Sequence, residues 1–211
     1  MSCYGTHHPS RYPTWKHDPS RYPTWRVAAA LIVVLALAGC PATEKPVART
    51  VAPPVAGGCQ WSVYFSPNGG CTDAIVESLA DARKTVLVQA YSFTSARIAR
   101  ALIDAKGRGV DVRAILDKSQ AGQRYSSADF LANSGVPTKI DRAHAIAHNK
   151  VMVIDGETVI TGSFNFTKAA ESHNAENLLI MRDKELAARY TANWNVHDAH
   201  SESYRGRGEG G

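Results

Sequence analysis

The chain has 211 residues, 44% hydrophobic, 20% charged and 8% aromatic, which fits one globular domain with accessory segments and excludes wholesale disorder. Its formal charge of +5 is unevenly placed: residues 1–58 carry six Lys/Arg against Asp18 and Glu44, a net +4, and the remainder carries 18 Lys/Arg against 17 Asp/Glu, a net +1. The folded part is nearly neutral, so bulk charge alone cannot support nucleic-acid binding, and any phosphate chemistry has to come from a local site.

Residues 9–15 and 19–25 are the same heptapeptide, Pro-Ser-Arg-Tyr-Pro-Thr-Trp. Two proline-rich copies do not make a solenoid, so residues 1–26 are expected to be a disordered extension. Arg26 precedes twelve apolar residues, 27–38, and then Gly39-Cys40. Twelve helical residues span about 18 Å, short of the roughly 30 Å hydrocarbon core, so residues 27–40 read as a secretory signal segment rather than a membrane span. Leu37-Ala38-Gly39-Cys40 resembles a bacterial lipobox, which makes Cys40 the expected lipidation site and the chain an exported, membrane-anchored lipoprotein of the periplasm. Residues 41–58 form a Pro/Ala-rich linker, expected to be extended and semi-rigid. In an exported chain Cys59 and Cys71, either side of a predicted strand, are expected disulfide partners.

From residue 61 strands and helices alternate. The pattern predicts a strand over 61–66, a helix over 72–83, a strand over 85–91, a helix capped by Ser95 running to Lys106, and a strand over 110–116. A short helix over 127–133 and an extended segment over 136–140 follow. Strands near 150–155, 158–162 and 176–181 and helices near 167–172 and 183–197 complete the domain, placed at 59–200. This βαβα order predicts an α/β layered fold with a mixed, largely parallel sheet. Residues 201–211 read as a Gly-rich disordered tail whose Arg205 and Arg207 are able to touch phosphates. His197 and His200, near the end of the last helix, are expected at the surface. His144 and His148 are four apart, but the alternating context makes this strand or loop rather than a metal-binding helix, and no metal site is expected.

Chemistry concentrates in the second half. His148 and Lys150 are two apart at the entry to an apolar strand, so the pleat places both on one face. An imidazole can act as nucleophile or proton shuttle near neutral pH, and an adjacent ammonium can neutralise charge on phosphoryl oxygens. Asn165 and Ser163 offer donors to the same oxygens, and Glu176 can accept from the second imidazole nitrogen. Together these groups suit displacement at a phosphodiester without a metal. Asp155 lies seven residues after His148, an odd offset that points it to the opposite face; Asp155-Gly156 also signals a hairpin, so Asp155 is expected to serve the turn more than the chemistry.

The string His148-x-Lys150-x4-Asp155-x6-Gly162-Ser163-x-Asn165 resembles the HxKxxxxD(x6)GSxN signature of the phospholipase D superfamily, and its surroundings resemble the small single-motif bacterial endonucleases of that family. The likeness covers roughly residues 61–200. It implies an αβα sandwich, no metal cofactor and a two-step mechanism through a phosphohistidine. By that resemblance Asp155 belongs to the catalytic motif, His148 carries the covalent bond, Lys150 and Asn165 hold the non-bridging oxygens, and Glu176 supports His148. The family's chemistry needs two motifs. No second His-x-Lys occurs in the chain, which implies a homodimer with two motifs facing across an isologous interface. Nucleic acid is the expected substrate class. Phosphatidylcholine-type lipid is the alternative, and an inactive phosphate-binding module a second alternative.

Overall fold

A computed structural model describes residues 50–51, 60–124 and 126–207. The repeated heptapeptide, the signal segment, Cys40, Cys59 and most of the linker lie outside the described residues. Within the linker, β1 (Thr50–Val51) pairs antiparallel with β2 (Gln60–Ser66), so this stretch contributes a strand to the sheet. Then follow α1 (Cys71–Asp81), β3 (Thr85–Ala90), α2 (Ala96–Gly107), β4 (Asp111–Asp117), α3 (Ser127–Asn133) and β5 (Thr138–Asp141). The second half runs β6 (Lys150–Ile154), β7 (Thr158–Gly162), α4 (Lys168–Ser172), β8 (Glu176–Arg182), α5 (Lys184–His200) and β9 (Glu202–Tyr204). Among the described residues the sheet has nine strands in the order β1-β2-β8-β7-β6-β3-β4-β5-β9.

Alternation along the strands builds two apolar layers. Val86, Val88 and Ala90 of β3 join Ile75 and Leu79 of α1 and Ile98 and Leu102 of α2 in the larger core. On the opposite face, Leu87 of β3, Val151 and Val153 of β6 and Val159 of β7 pack with Leu186, Ala187 and Tyr190 of α5. One strand period therefore feeds helices on both sides, the αβα sandwich that the family resemblance implies. Trp194 fastens α5 to the sheet by donating from Nε1 to Val88 O, 2.9 Å away.

The expectation of a largely parallel sheet is corrected. Among the described strands β3–β4 and β4–β5 run parallel, and they are the pairs joined by the crossover helices α2 and α3. The other pairings are antiparallel. The Asp155-Gly156 turn explains part of this, because a tight connection between β6 and β7 permits no parallel return. Cys59 lies outside the described residues; Cys71, its expected disulfide partner, has no exposed surface at the start of α1, and burial, reinforced by the Glu171 charge, pushes its thiol pKa up to about 12. The tail is partly ordered. β9 pairs antiparallel with β5, and Arg207 meets Asp129 at 2.7 Å instead of offering a free guanidinium.

Candidate active site

The sheet order brings one end of β3, β6, β7 and β8 together, and a cleft of about 590 Å³ opens there. His148, Lys150, Ser163, Asn165 and Glu176 all line it, with Tyr190 and Val151 as its apolar wall. Five of the residues singled out in the sequence thus converge across three strands and their loops.

His148 ends the loop that follows β5, and two backbone anchors set its position. Asp117, buried at the end of β4, accepts the Ala147 N–H at 2.8 Å, and Asn149 O accepts the Tyr91 N–H at 2.8 Å. Burial alone would raise the Asp117 pKa, but the Ser119 and Ala147 amides outweigh it and hold the carboxyl below the ordinary range. The Tyr91 ring stacks obliquely on His148, centroids 4.6 Å apart, and backs the imidazole with a rigid surface.

Lys150 opens β6 with only 6% of its surface exposed. Its Nζ lies 3.0 Å from each His148 ring nitrogen and donates to His148 O at 2.7 Å. It also sits 5.0 Å from the Tyr91 ring centroid, a cation–π distance. Burial pulls its pKa below the ordinary lysine value, partly offset by the charge of Glu176. His148 precedes β6 in the loop, and the Ala147 and Asn149 backbone anchors on either side of it bring its ring beside Lys150, the neighbour that the spacing of two predicts.

The Gly162-to-Phe166 segment supplies the other wall. Phe164 and Phe166 are fully buried and alternate with Ser163 and Asn165, so apolar burial turns the two polar residues toward the cleft. Phe166 O also accepts from Thr94 N and Ser95 N, tying this loop to the start of α2. Gly162 has φ 147°, and a Cβ there would meet Asn177 O, so the approach of β7 to β8 requires glycine. Ser163 Oγ accepts from Asn177 N at 3.1 Å and Asn177 Nδ2 at 3.3 Å, leaving its own hydrogen free to donate. Asn165 Oδ1 is buried with no hydrogen-bond partner among the described residues, so this amide is not spent on the fold.

Glu176 differs from its expected role, and Asp155 takes the turn role expected from its spacing rather than the catalytic place the resemblance implies. Glu176 lines the cleft, but its carboxylate accepts from Asn174 Nδ2 at 3.1 Å and makes no hydrogen bond to His148. A local partner two residues away competes for the acceptor. Asp155, given a place in the catalytic motif by the resemblance, lies past the far end of β6. Its carboxylate accepts the backbone N–H groups of Arg83, Lys84 and Thr85 at 2.9, 2.7 and 2.9 Å. These bonds offset burial and hold its pKa below the ordinary range. Asp155 and Gly156 both have positive φ, 56° and 67°, and Glu157 N donates to Ile154 O, the hairpin geometry the sequence predicts. Asp155 is a scaffold residue. Neither Tyr91 nor Asp117 stands in the motif: Tyr91 belongs to the Tyr91-Ser-Phe-Thr94 surroundings of the resemblance without an assigned role, and Asp117 had the end of an apolar strand as its signal.

Comparison with known proteins agrees with the geometry. Residues 75–196, more than half of the chain, match the family described as cardiolipin synthase, PLD-like domain. Over 133 residues the chain is 46% identical to a protein named phospholipase D from Rickettsia conorii, covering 63% of this chain and 66% of the relative. It is 32% identical to the mitochondrial cardiolipin hydrolase of Mus musculus over 133 residues, 63% of this chain and 59% of that one. The chain therefore spans just under two thirds of the length of these relatives. Among solved structures, the phospholipase D family member Nuc from Salmonella typhimurium superposes with TM-score 0.68 and 36% identity, covering 70% of this chain and 99% of Nuc. Sequence and fold thus lead to one assignment: the chain belongs to the phospholipase D superfamily, a family of phosphodiester-bond enzymes.

Proposed function

We propose that the chain hydrolyses phosphodiester bonds of a nucleic-acid backbone through a phosphohistidine on His148. The observation that carries this reading is the buried ammonium of Lys150 held 3.0 Å from both His148 ring nitrogens inside a polar cleft. Charge that develops on non-bridging oxygens meets Lys150, the Ser163 hydroxyl and the Asn165 amide, which line the cleft together. Positive charge comes from the side chain, so the step runs without a metal.

In the first step a His148 ring nitrogen bonds to phosphorus while the bond to the leaving oxygen breaks. The partner subunit's His148 protonates that oxygen. In the second step water attacks phosphorus and gives its proton to the partner's His148, now a base. The N–P bond then breaks, freeing a phosphomonoester and restoring His148. The requirement for two histidines with only one motif per chain supports a homodimer. β2 presents Trp61 and Phe65, 41% and 50% exposed, as apolar surface beside β8, whose first residue lines the cleft. Leu37-Ala38-Gly39-Cys40 supports export and tethering through lipidated Cys40.

A phospholipid is the second reading. The exposed side chains of Phe65 and Ile146, the latter two residues before His148, favour it by offering apolar contact to acyl chains. The test offers the full chain plasmid DNA and, separately, phosphatidylcholine vesicles, each with and without EDTA and with His148→Ala as control. DNA nicking that survives EDTA and vanishes in the variant is the expected result. Choline release with intact DNA transfers the assignment to phospholipid, and no turnover on either substrate overturns the hydrolase reading in favour of a phosphate-binding module.

A further inference from the structure

Away from the cleft, β5 ends where α5 ends, and four side chains with metal-ligand chemistry meet. Asp141 closes β5 with no exposed side-chain surface. His197 and His200 lie three apart on the last turn of α5, and His144 follows Asp141 in the loop that leads to His148. Asp141 Oδ2 lies 3.0 Å from His144 Nδ1, 2.9 Å from His197 Nδ1 and 3.3 Å from His200 Nε2. One donor atom from each of the four residues falls within 4.8 Å of every other. His197, expected at the surface, is half-buried with its side chain 13% exposed, whereas His200 lies at the surface as expected.

We propose that Asp141, His144, His197 and His200 bind one divalent transition-metal ion, with zinc the best match. Three imidazoles and one carboxylate form an N3O donor set, the ligand types that suit zinc, and four of them complete a tetrahedron. Metal–ligand bonds of about 2.0–2.2 Å place tetrahedral donors about 3.3–3.6 Å apart. The three contacts to Oδ2, 2.9–3.3 Å, lie at or just below that spacing, and the four donors, all within 4.8 Å of one another, have to close only part of the remaining distance onto an ion.

The outer contacts are those such a site needs. Asp141 Oδ1 accepts the Ala143 and His144 N–H groups at 3.0 and 3.4 Å, which orients Oδ2 toward the three rings. His144 O accepts from Lys118 Nζ at 3.0 Å, fixing the loop from behind. The nearby cations are engaged elsewhere: Lys139 pairs with Asp198 at 2.8 Å and Arg142 with Glu202 at 3.0 Å. Without an ion, three imidazoles with ring centroids 4.9–5.3 Å apart crowd one carboxylate oxygen, an arrangement that a cation at the centre relieves. His144 is 46% exposed and gives the ion a way in.

With all four positions filled by protein, no place is left for an activated water, so the role is structural. The ion would tie the end of α5 to the loop that carries His148, four residues beyond His144. This inference stands apart from the substrate reading and from hydrolysis itself.

The test uses the full chain, stripped with a chelator that is then removed, and titrated with Co²⁺ as a visible probe. The expected result is one Co²⁺ per chain with the strong visible absorption of four-coordinate cobalt, displaced by Zn²⁺. His144→Ala, whose ring is too exposed to decide folding, weakens binding at least about tenfold, as does His197→Ala/His200→Ala. His144→Cys keeps binding and adds a thiolate-to-cobalt band. Changing His148 to Ala, or His7, His8 and His17 together to Ala, leaves binding unaltered. Zn²⁺ at 100 times its Kd raises the wild-type melting temperature by about 5–10 °C and not that of the alanine variants. Stoichiometry well below one overturns the proposal in favour of a hydrogen-bonded knot. So does affinity unchanged in His144→Ala, or lost in either control variant.

Discussion

Lys150 shows how one side chain can be costly to the fold and useful to the site. Its ammonium is buried against His148 and Tyr91, and burial favours the neutral amine, so its pKa falls below 10.5. The charged form is the one that meets phosphoryl oxygens. Turnover should therefore fail on the alkaline side at a lower pH than an unperturbed lysine dictates. A pH profile of kcat/KM reads this limb directly. Lys150→Arg, which stays charged, is expected to lower the plateau while removing the limb; a limb that persists in the arginine variant would assign it to another group. The sign for stability is the same: the unfolded chain binds this proton more tightly than the folded one, so this lysine's unfavourable contribution shrinks as pH rises through the folded pKa. His148 and Lys150 were legible in the sequence because a spacing of two at the entry to a strand is local geometry, even though only Lys150 proves to lie within β6. The bond between Glu176 and Asn174 was not, because choosing among acceptors depends on distances that spacing leaves open.

At the scale of elements, the β6–β7 hairpin bears on both fold and site. Asp155 takes the three backbone amides at the entry to β3, so the strand carrying Lys150 is held in register with its neighbour. Asp155→Asn is expected to lower stability by about 1–2 kcal/mol while leaving kcat of the folded protein near wild type, read by denaturant unfolding beside turnover. Normal stability with no turnover would make it catalytic after all. Because its folded pKa is depressed, Asp155 stabilises the fold above the ordinary aspartate range, and that contribution disappears as pH falls through the folded value. The odd offset from His148 made this role readable in advance. β9 was not readable: three residues carry no periodic pattern, and their pairing with β5 is decided some 60 residues away in sequence. The same distance hid the Asp141 cluster, whose ligands come from a strand end, a loop and a helix end.

The molecule as a whole carries one His-x-Lys motif, and a mechanism with separate nucleophile and acid needs two. If each site draws on two chains, wild type diluted with an excess of His148→Ala should lose activity as the square of the wild-type fraction once subunits exchange. A linear loss would place both roles within one chain. The layered architecture was foreseen from alternation of strands and helices, but the direction of most pairings was not. Periodicity reports which face of a strand is buried and is silent about which neighbour it takes. The parallel pairs lie where crossover helices intervene, and the antiparallel half, where the site forms, is organised by one tight turn and by loops that the period of two does not reach.

The measurement closest to the central claim is capture of the covalent intermediate. The full chain is mixed with a phosphodiester substrate, quenched within one turnover and mapped by mass spectrometry under conditions that preserve phosphoramidates. A phosphorus adduct on the peptide containing His148, absent in His148→Ala and chased away by longer incubation, is the predicted result. Turnover that proceeds with no adduct, or with the adduct on another residue, would contradict the account.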